Sequence, residues 1–204
     1  MILREIKQTS GERFTLVFDD GSELKTTLGV VTEHFLHSGA ELADAQYAEI
    51  VAASSLSLCK ARALRAINAR PMSRAELIKK LCEKGEVPEN AEECAEWLSR
   101  LGLINDEQYA GSVVRHYAAK GYGRGRIKQE LKRHGLDREL WDAALEQMPE
   151  QDAYLERFIR SRLTDPEDRA QVKKVSDALF RRGYSWDQIK HALNEFNSSG
   201  NTYE

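Results

Sequence analysis

The sequence predicts a mainly α-helical fold, in which tandem three-helix-bundle repeats form an elongated array after a small N-terminal β/α module. The main observation is an internal repeat: Gly85, Gly135 and Gly183 stand 50 and 48 residues apart, and each follows two apolar residues at helical spacing. A repeat of this length is typical of stacked helical units. The charged fraction is 31%, above the roughly 25% usual for globular domains, which indicates extensive solvated surface.

The N-terminal module, predicted over residues 1–54, begins with β-structure. Three segments have the alternating pattern of short strands: residues 2–8, 13–18 and 23–28. The sequence DDGS at residues 19–22 predicts the hairpin turn between the last two strands. Apolar residues then recur at helical spacing, which predicts a short helix over residues 30–36 and a second over 41–53.

Three helical repeats follow, with predicted boundaries at residues 55–103, 104–148 and 149–197, and a polar tail at 198–204. Each repeated glycine is expected to end a helix in the left-handed conformation, which a Cβ atom opposes. We expect helices over residues 56–68 and 126–134, and over 152–163 in the third repeat. Helix starts are predicted from side-chain caps and from one proline: Ser73 with Glu76, Pro88, Asn105, Asp137 and Ser185.

Composition argues against several classes of protein. The sequence contains no run of about 18 apolar residues, so it predicts no membrane span, and the N-terminus lacks the pattern of a secretory signal. Three cysteines without CxxC spacing predict a reducing, cytoplasmic setting, with Cys82 and Cys94 as small core residues. The histidines and carboxylates form no catalytic or metal-binding pattern, so we expect no enzyme activity, no metal and no cofactor. We expect a monomer, although the sequence leaves dimerisation open.

The net charge of −3 hides strong segregation of charge along the chain. Residues 1–53 carry four basic and nine acidic residues, a net charge of −5. Residues 115–138 carry eight basic and two acidic residues, a net charge of +6, and residues 155–184 carry eight and five, a net charge of +3. The basic middle and C-terminal segments predict contact with an anionic partner.

The loop around Gly121, Gly123 and Gly125 is the sharpest local motif. Its spacing is not G-x-G-x-x-G and it follows a helix, which argues against a dinucleotide site. It precedes a helix N-terminus and is flanked by Arg124 and Arg126, so one interpretation is an anion contact. The other is a tight interhelical loop with solvated arginines.

Basic side chains recur at matching positions of the second and third repeats, and they predict a positively charged stripe, unless they are only a solvated face. A helix-turn-helix interpretation is weaker, because Asp137, Glu139, Asp142 and Glu146 on the second repeat's candidate recognition helix would be repelled by DNA phosphates. Tyr122 is a candidate for base stacking. The candidate partner- or DNA-binding residues are Arg115, Lys120, Tyr122, Arg124, Arg126, Lys128, Lys132, Arg133, Lys173, Lys174, Arg181 and Arg182.

Three stretches of the middle repeat, LINDEQYA at residues 103–110, KGYGRGRIKQEL at 120–131 and RHGL at 133–136, resemble the core signature of the RecX family. The similarity extends to SRAEL at 73–77 and to residues 173–184, and it covers roughly residues 55–196. RecX proteins are non-catalytic regulators of the bacterial recombinase RecA, and they consist of tandem three-helix repeats.

The resemblance implies a protein that binds the RecA nucleoprotein filament and mainly inhibits its ATPase and strand-exchange activities. We expect DNA or acidic RecA surface to contact the basic faces of the second and third repeats. Capping of filament ends and coating of the filament groove both remain open. The alternative is a sequence-nonspecific DNA-binding protein that acts independently of RecA.

Overall fold

The structure, a computed structural model, describes residues 1–200, with side chains through residue 198. A three-stranded sheet precedes ten helices in this part of the chain, and the fold is mainly α as the sequence predicts. The chain divides into two compact units, Met1–Ile104 and a second that begins at Asn105. The last helix continues to Gly200, so the first part of the predicted polar tail is helical, and residues 201–204 lie outside the described residues.

The N-terminal sheet is an antiparallel meander, and it confirms the predicted strands. Its strands are β1 (Leu3–Ser10), β2 (Arg13–Phe18) and β3 (Glu23–Thr27), in the order β1-β2-β3. The Phe18 amide donates to the Ser22 carbonyl at 3.0 Å and closes the predicted turn. One face of the sheet packs on the following helices around Leu3, Leu16 and Ile50, which are buried.

The two helices after the sheet differ from those predicted. Helix α1 (Leu28–Glu33) begins earlier than expected, and it ends before Phe35, which has a φ of 50°. Helix α2 (Asp44–Ala69) runs without a break through residues 54 and 55, so the prediction of two separate helices there is wrong. The hydroxyl of Ser54 is buried and donates to Thr26 Oγ1 at 2.8 Å, so this serine joins the helix to the sheet.

The first repeat packs the C-terminal half of α2 against α3 (Arg74–Cys82) and α4 (Pro88–Arg100). The predicted capping box of α3 is confirmed, because Ser73 Oγ accepts from the Glu76 amide at 3.0 Å. Cys59 and Cys94 are fully buried, and burial raises the pKa of the Cys59 thiol to about 12 and also raises that of Cys94. The core interpretation of Cys94 is therefore confirmed, whereas Cys82 is only half-buried.

The second repeat consists of α5 (Asp106–Ala119), α6 (Arg124–Arg133) and α7 (Glu139–Glu146). Asn105 caps α5 as predicted, since its side chain accepts from the Gln108 amide at 2.9 Å. The predicted Asp137 cap is wrong: the residue before α7 is Arg138, in α-helical conformation, and Asp137 contributes its carbonyl oxygen to the Leu140 amide instead. Helix α6 begins two residues before the predicted start, and Arg124 and Gly125 therefore lie in its first turn.

The third repeat consists of α8 (Asp152–Arg160), α9 (Arg169–Arg181) and α10 (Trp186–Gly200). Ser185 accepts a hydrogen bond from the Gln188 amide at 3.2 Å, which confirms the predicted cap of α10. The three repeated glycines have φ values of 87° at Gly85, 67° at Gly135 and 90° at Gly183, and the left-handed conformation is confirmed at each. Helix α8 ends at Arg160, earlier than predicted.

Candidate functional site

The glycine loop of the second repeat packs directly on the backbone of the third. The Gly123 amide donates to the Arg182 carbonyl at 2.8 Å, and the Gly125 amide donates to the Gly183 carbonyl at 2.9 Å. A Cβ atom on Gly123 would lie 2.6 Å from the Gly183 carbonyl carbon and oxygen, so this close approach requires glycine. Two amides at the start of α6 are thus already bonded, which favours the structural interpretation of the loop over an anion contact at these amides.

Arg182 and Tyr122, both candidate binding residues, are built into the same contact between repeats. The guanidinium carbon of Arg182 lies 5.5 Å from the ring centroid of Tyr122, 5.7 Å from that of Tyr154 and 5.2 Å from that of Phe158. Its Nη1 also faces the carbonyl oxygens of Lys120 and Gly121 at 3.3 and 3.4 Å. These cation–π contacts hold the Arg182 side chain in one position, so Arg182 helps to hold the second and third repeats together.

A buried carboxylate organises the arginines of α6. Glu130 is 4% exposed, and its side chain accepts from Arg126 Nη2 at 2.9 Å and from Arg133 Nε at 2.7 Å. Burial by itself would raise the pKa of Glu130, but hydrogen bonds from Arg133 and Tyr117 and the charges of Arg133 and Arg126 outweigh it and hold the pKa below its usual value. The net positive charge of this helix is therefore smaller than its arginine count suggests.

Four other candidate residues have specific neighbours. Arg124 Nη2 donates to the Leu145 carbonyl at 3.1 Å, which joins α6 to α7. Arg115 bonds Gln147 and Ser112, and Lys128 lies 3.9 Å from the exposed carboxylate of Asp142. The Lys120 ammonium lies 5.5 Å from the Tyr117 ring centroid.

The remaining four candidates are exposed, and none forms an ion pair among the described side chains: Lys132, Lys173, Lys174 and Arg181. Unpaired exposed cations keep their charge available to an anionic partner at little cost in desolvation. These four side chains can be removed without breaking a contact that holds the repeats together.

The second and third repeats form one groove that is lined by arginines and has a volume of about 780 Å³. Arg124, Arg126 and Arg181 line it together with Gln129, Gln188 and Phe180, and no carboxylate is among its described lining residues. The ring of Phe180 stacks on that of Trp186, with 5.2 Å between ring centroids and 22° between planes.

The sequence analysis did not select Glu130, Phe180 or Trp186. A sequence signal existed for the two rings, since Phe180 and Trp186 stand three residues on either side of Gly183, at the end of α9 and the start of α10. The burial of Glu130 was harder to predict from the sequence, because a carboxylate between arginines on a basic helix is also typical of a solvated helix face.

The residues that the structure describes contain no cluster of three or more potential metal ligands. No helix in the described part of the chain has the length and apolar character required to span a membrane.

Comparison with protein families places a known domain on each helical repeat. Residues 59–98 match the description "RecX, first three-helix domain", residues 105–145 match the second and residues 154–193 match the third. The regulatory protein RecX of Stenotrophomonas maltophilia (strain R551-3) is 36% identical over 137 residues, which cover 64% of this chain and 82% of that protein. The corresponding protein of Trichlorobacter lovleyi is 35% identical over 140 residues, which cover 65% of this chain and 91% of its own.

Two solved structures share the fold. A crystal structure of regulatory protein RecX superposes with a TM-score of 0.74 at 26% identity and covers 95% of this chain and 98% of its own. The crystal structure of RecX from Lactobacillus salivarius gives a TM-score of 0.63 at 25% identity and covers 72% of this chain and 99% of its own. The first similarity extends beyond the three helical repeats into the N-terminal module.

Proposed function

This chain belongs to the RecX family of regulatory proteins, and we propose that it binds the RecA nucleoprotein filament and mainly inhibits ATP hydrolysis and strand exchange. The observation that carries the proposal is the family assignment, which rests on three matched domains in the family's order. The exposed cations of the second and third repeats that pair with no described side chain support it, because a filament of DNA and protein presents phosphates and acidic side chains.

The mechanism that we propose is steric. Repeats two and three are held together by backbone hydrogen bonds, so they would meet the filament as one body rather than as separate modules. A body that contacts neighbouring RecA subunits would obstruct the groove through which a second DNA strand enters. The same contact would hinder the subunit movements that accompany nucleotide turnover.

The test is the RecA ATPase assay on single-stranded DNA, with increasing amounts of this protein. We expect ATP hydrolysis to fall at amounts of protein far below those that saturate the DNA, because each bound molecule acts on several subunits. Inhibition that appears only when the DNA is coated would favour the alternative, a sequence-nonspecific DNA-binding protein that acts without RecA.

A triple variant separates binding from folding. Lys132→Ala, Lys173→Ala and Lys174→Ala remove exposed charges that pair with no described side chain, so we expect an unchanged melting temperature. Each exposed ion pair lost contributes roughly 0.2–1 kcal/mol, so the loss of three predicts about 3- to 150-fold weaker inhibition.

The matched control for this variant removes three exposed lysines of the first unit: Lys25→Ala, Lys79→Ala and Lys84→Ala. We expect this control to inhibit RecA as the wild type does. Equal loss of inhibition in both triple variants would contradict an interface on the second and third repeats.

A further inference from the structure

We propose that the Phe180–Trp186 stack and the adjoining arginine-lined groove form a binding site for a single strand of DNA. The rings would stack on bases and the arginines would contact phosphates. The inference deepens the proposed function, on which it rests for the choice of DNA over RNA.

The aromatic pair is exposed where apolar side chains are usually covered. Phe180 is 51% exposed and Trp186 is 55% exposed, although the two rings contact each other. Single exposed aromatic residues are common, but a stacked pair forms a continuous apolar surface of a kind that marks interaction sites. Because the rings stack with 22° between their planes, each covers one face of the other, and the outer ring faces are the platform on which a base can stack.

The flat platform and its position fit an unpaired nucleotide base. Every base offers a π-face, so stacking on aromatic rings binds single strands with little dependence on sequence. The bases of a duplex are already stacked on one another and their faces are inaccessible to these rings. The platform therefore selects single strands over duplexes.

The groove beside the platform supplies the charge that a DNA backbone requires. Phe180 lines the groove together with the three arginines Arg124, Arg126 and Arg181, and Trp186, the other ring of the platform, stacks on Phe180 beside the groove. Arg124 is fixed by the Leu145 carbonyl and Arg126 by Glu130, so both are held in place before binding. Arg181 is exposed and has no ion pair among the described side chains, so it keeps its full charge for a phosphate.

The neutral groups of the groove also fit this partner. Gln129, Gln188 and Ser185 line the groove and can donate hydrogen bonds to phosphate or base oxygens without repelling them. An acidic protein segment would be attracted to the same arginines, but its carboxylates would not stack on the two exposed rings. The combination of rings and arginines therefore points to a nucleic acid strand.

The experiment measures binding of the purified full chain to a fluorescently labelled oligo(dT) by anisotropy, without RecA. We expect Trp186→Ala to weaken binding by about 5- to 150-fold, which is the loss of one stacked base. Trp186→Phe should restore most of the affinity, since it keeps a ring at this position. The matched control is Phe35→Ala, which removes an aromatic side chain that is 85% exposed in the first unit and should bind as the wild type does.

A second variant tests the arginines through the salt dependence of binding. Arg181→Ala should reduce the slope of log K against log salt concentration by about 0.7, the value for one phosphate contact on a single strand. Arg100→Ala, which removes a guanidinium that is 68% exposed in the first unit, should leave the slope unchanged.

Four results would overturn the proposal. The first is wild-type affinity of both folded single variants, Trp186→Ala and Phe180→Ala. The second and third are tighter binding of duplex DNA, or of oligo(U), than of oligo(dT). The fourth is competition by a poly-glutamate peptide that equals competition by unlabelled oligo(dT). Failure of this site and failure of RecA regulation are distinguishable because the oligonucleotide assay contains no RecA.

Discussion

Replacing Gly123 with alanine should separate the second and third repeats, because the new methyl group has no space. Its Cβ would lie 2.6 Å from the Gly183 carbonyl carbon and oxygen and 2.7 Å from the Tyr184 amide nitrogen. All three neighbours are backbone atoms, so no side chain can rotate away. The backbone of Gly123 itself, at φ −81° and ψ 171°, suits alanine, and any loss of stability therefore comes from the contact.

The magnitude follows from the contacts that must open. Separation breaks the two backbone hydrogen bonds from Gly123 and Gly125, each of which contributes about 0.5–1.5 kcal/mol. Packing between Arg182 and its aromatic neighbours is strained at the same time. Alanine also restricts the unfolded chain, which opposes the loss by about 0.4–1 kcal/mol. The hydrogen bonds less this opposing effect leave a net decrease in the free energy of unfolding of up to about 2.6 kcal/mol, and the strained packing around Arg182 adds to it.

The assay is urea unfolding of the full chain, with hydrogen exchange to locate the change. Gly111→Ala is the matched control, since it also adds a methyl group to the second repeat. There the nearest atoms are the ends of the flexible Gln147 and Arg115 side chains, at 2.9 and 3.2 Å, and alanine favours the helix interior by up to about 1 kcal/mol. We expect Gly111→Ala to be at least as stable as the wild type.

The amide hydrogens of residues 123 and 125 should exchange faster in Gly123→Ala than in the wild type, because their acceptors lie in the third repeat. A variant with wild-type stability and unchanged protection at these two amides would refute the interlocked contact between the repeats.

Three further changes test the other buried contacts. Glu130→Gln should lower the free energy of unfolding by about 1.5–3 kcal/mol, the usual value for hydrogen bonds to charged groups. Because the pKa of Glu130 is depressed, urea titrations should show the full difference from the wild type above about pH 4.5 and a smaller one as the pH falls below it. A constant difference down to pH 3 would exclude the ion cluster. Arg182→Ala should lower the melting temperature more than Arg181→Ala does, since only Arg182 packs on three rings; equal melting temperatures would argue against that packing. Cys82 should react with a thiol reagent before Cys59 and Cys94, which should react only on unfolding, and simultaneous labelling of all three in the folded protein would contradict their burial.

Local signals predicted most of the helical repeats. The capping box at Ser73 and Glu76, the caps at Asn105 and Ser185, and the left-handed glycines all depend on residues within a few positions of one another. Such signals are present in the sequence itself, because the side chain and the backbone group that it satisfies belong to the same turn.

Two errors in the predicted helix boundaries have different physical reasons. Ser54 and Ser55 look like a helix boundary, but the Ser54 hydroxyl bonds Thr26 on the sheet, 28 residues away, and nothing then interrupts α2. Asp137 has a side chain suited to capping, but the residue directly before α7 is Arg138, which is itself in helical conformation, and α7 begins without a side-chain cap. The error at Ser54 therefore has a long-range cause, whereas the error at Asp137 is local to the start of α7.

The candidate site was predictable only in part, again because of long-range contacts. The sequence identifies the glycines and the basic residues, but it gives no sign that Gly123 meets Gly183 or that Arg182 packs on Tyr122. Those contacts join two repeats whose partners are about 60 residues apart. The structure therefore divides the basic residues into those that hold the repeats together and those that remain available to a partner.

The most direct test of RecA regulation is cosedimentation with preformed RecA filaments and, in parallel, with bare single-stranded DNA of the same length. The proposed function predicts that, at protein concentrations well below saturation, more protein pellets with the filament than with the DNA alone. The Lys132, Lys173 and Lys174 triple alanine variant should lose most of that excess. Equal or greater retention on bare DNA would contradict regulation through the filament.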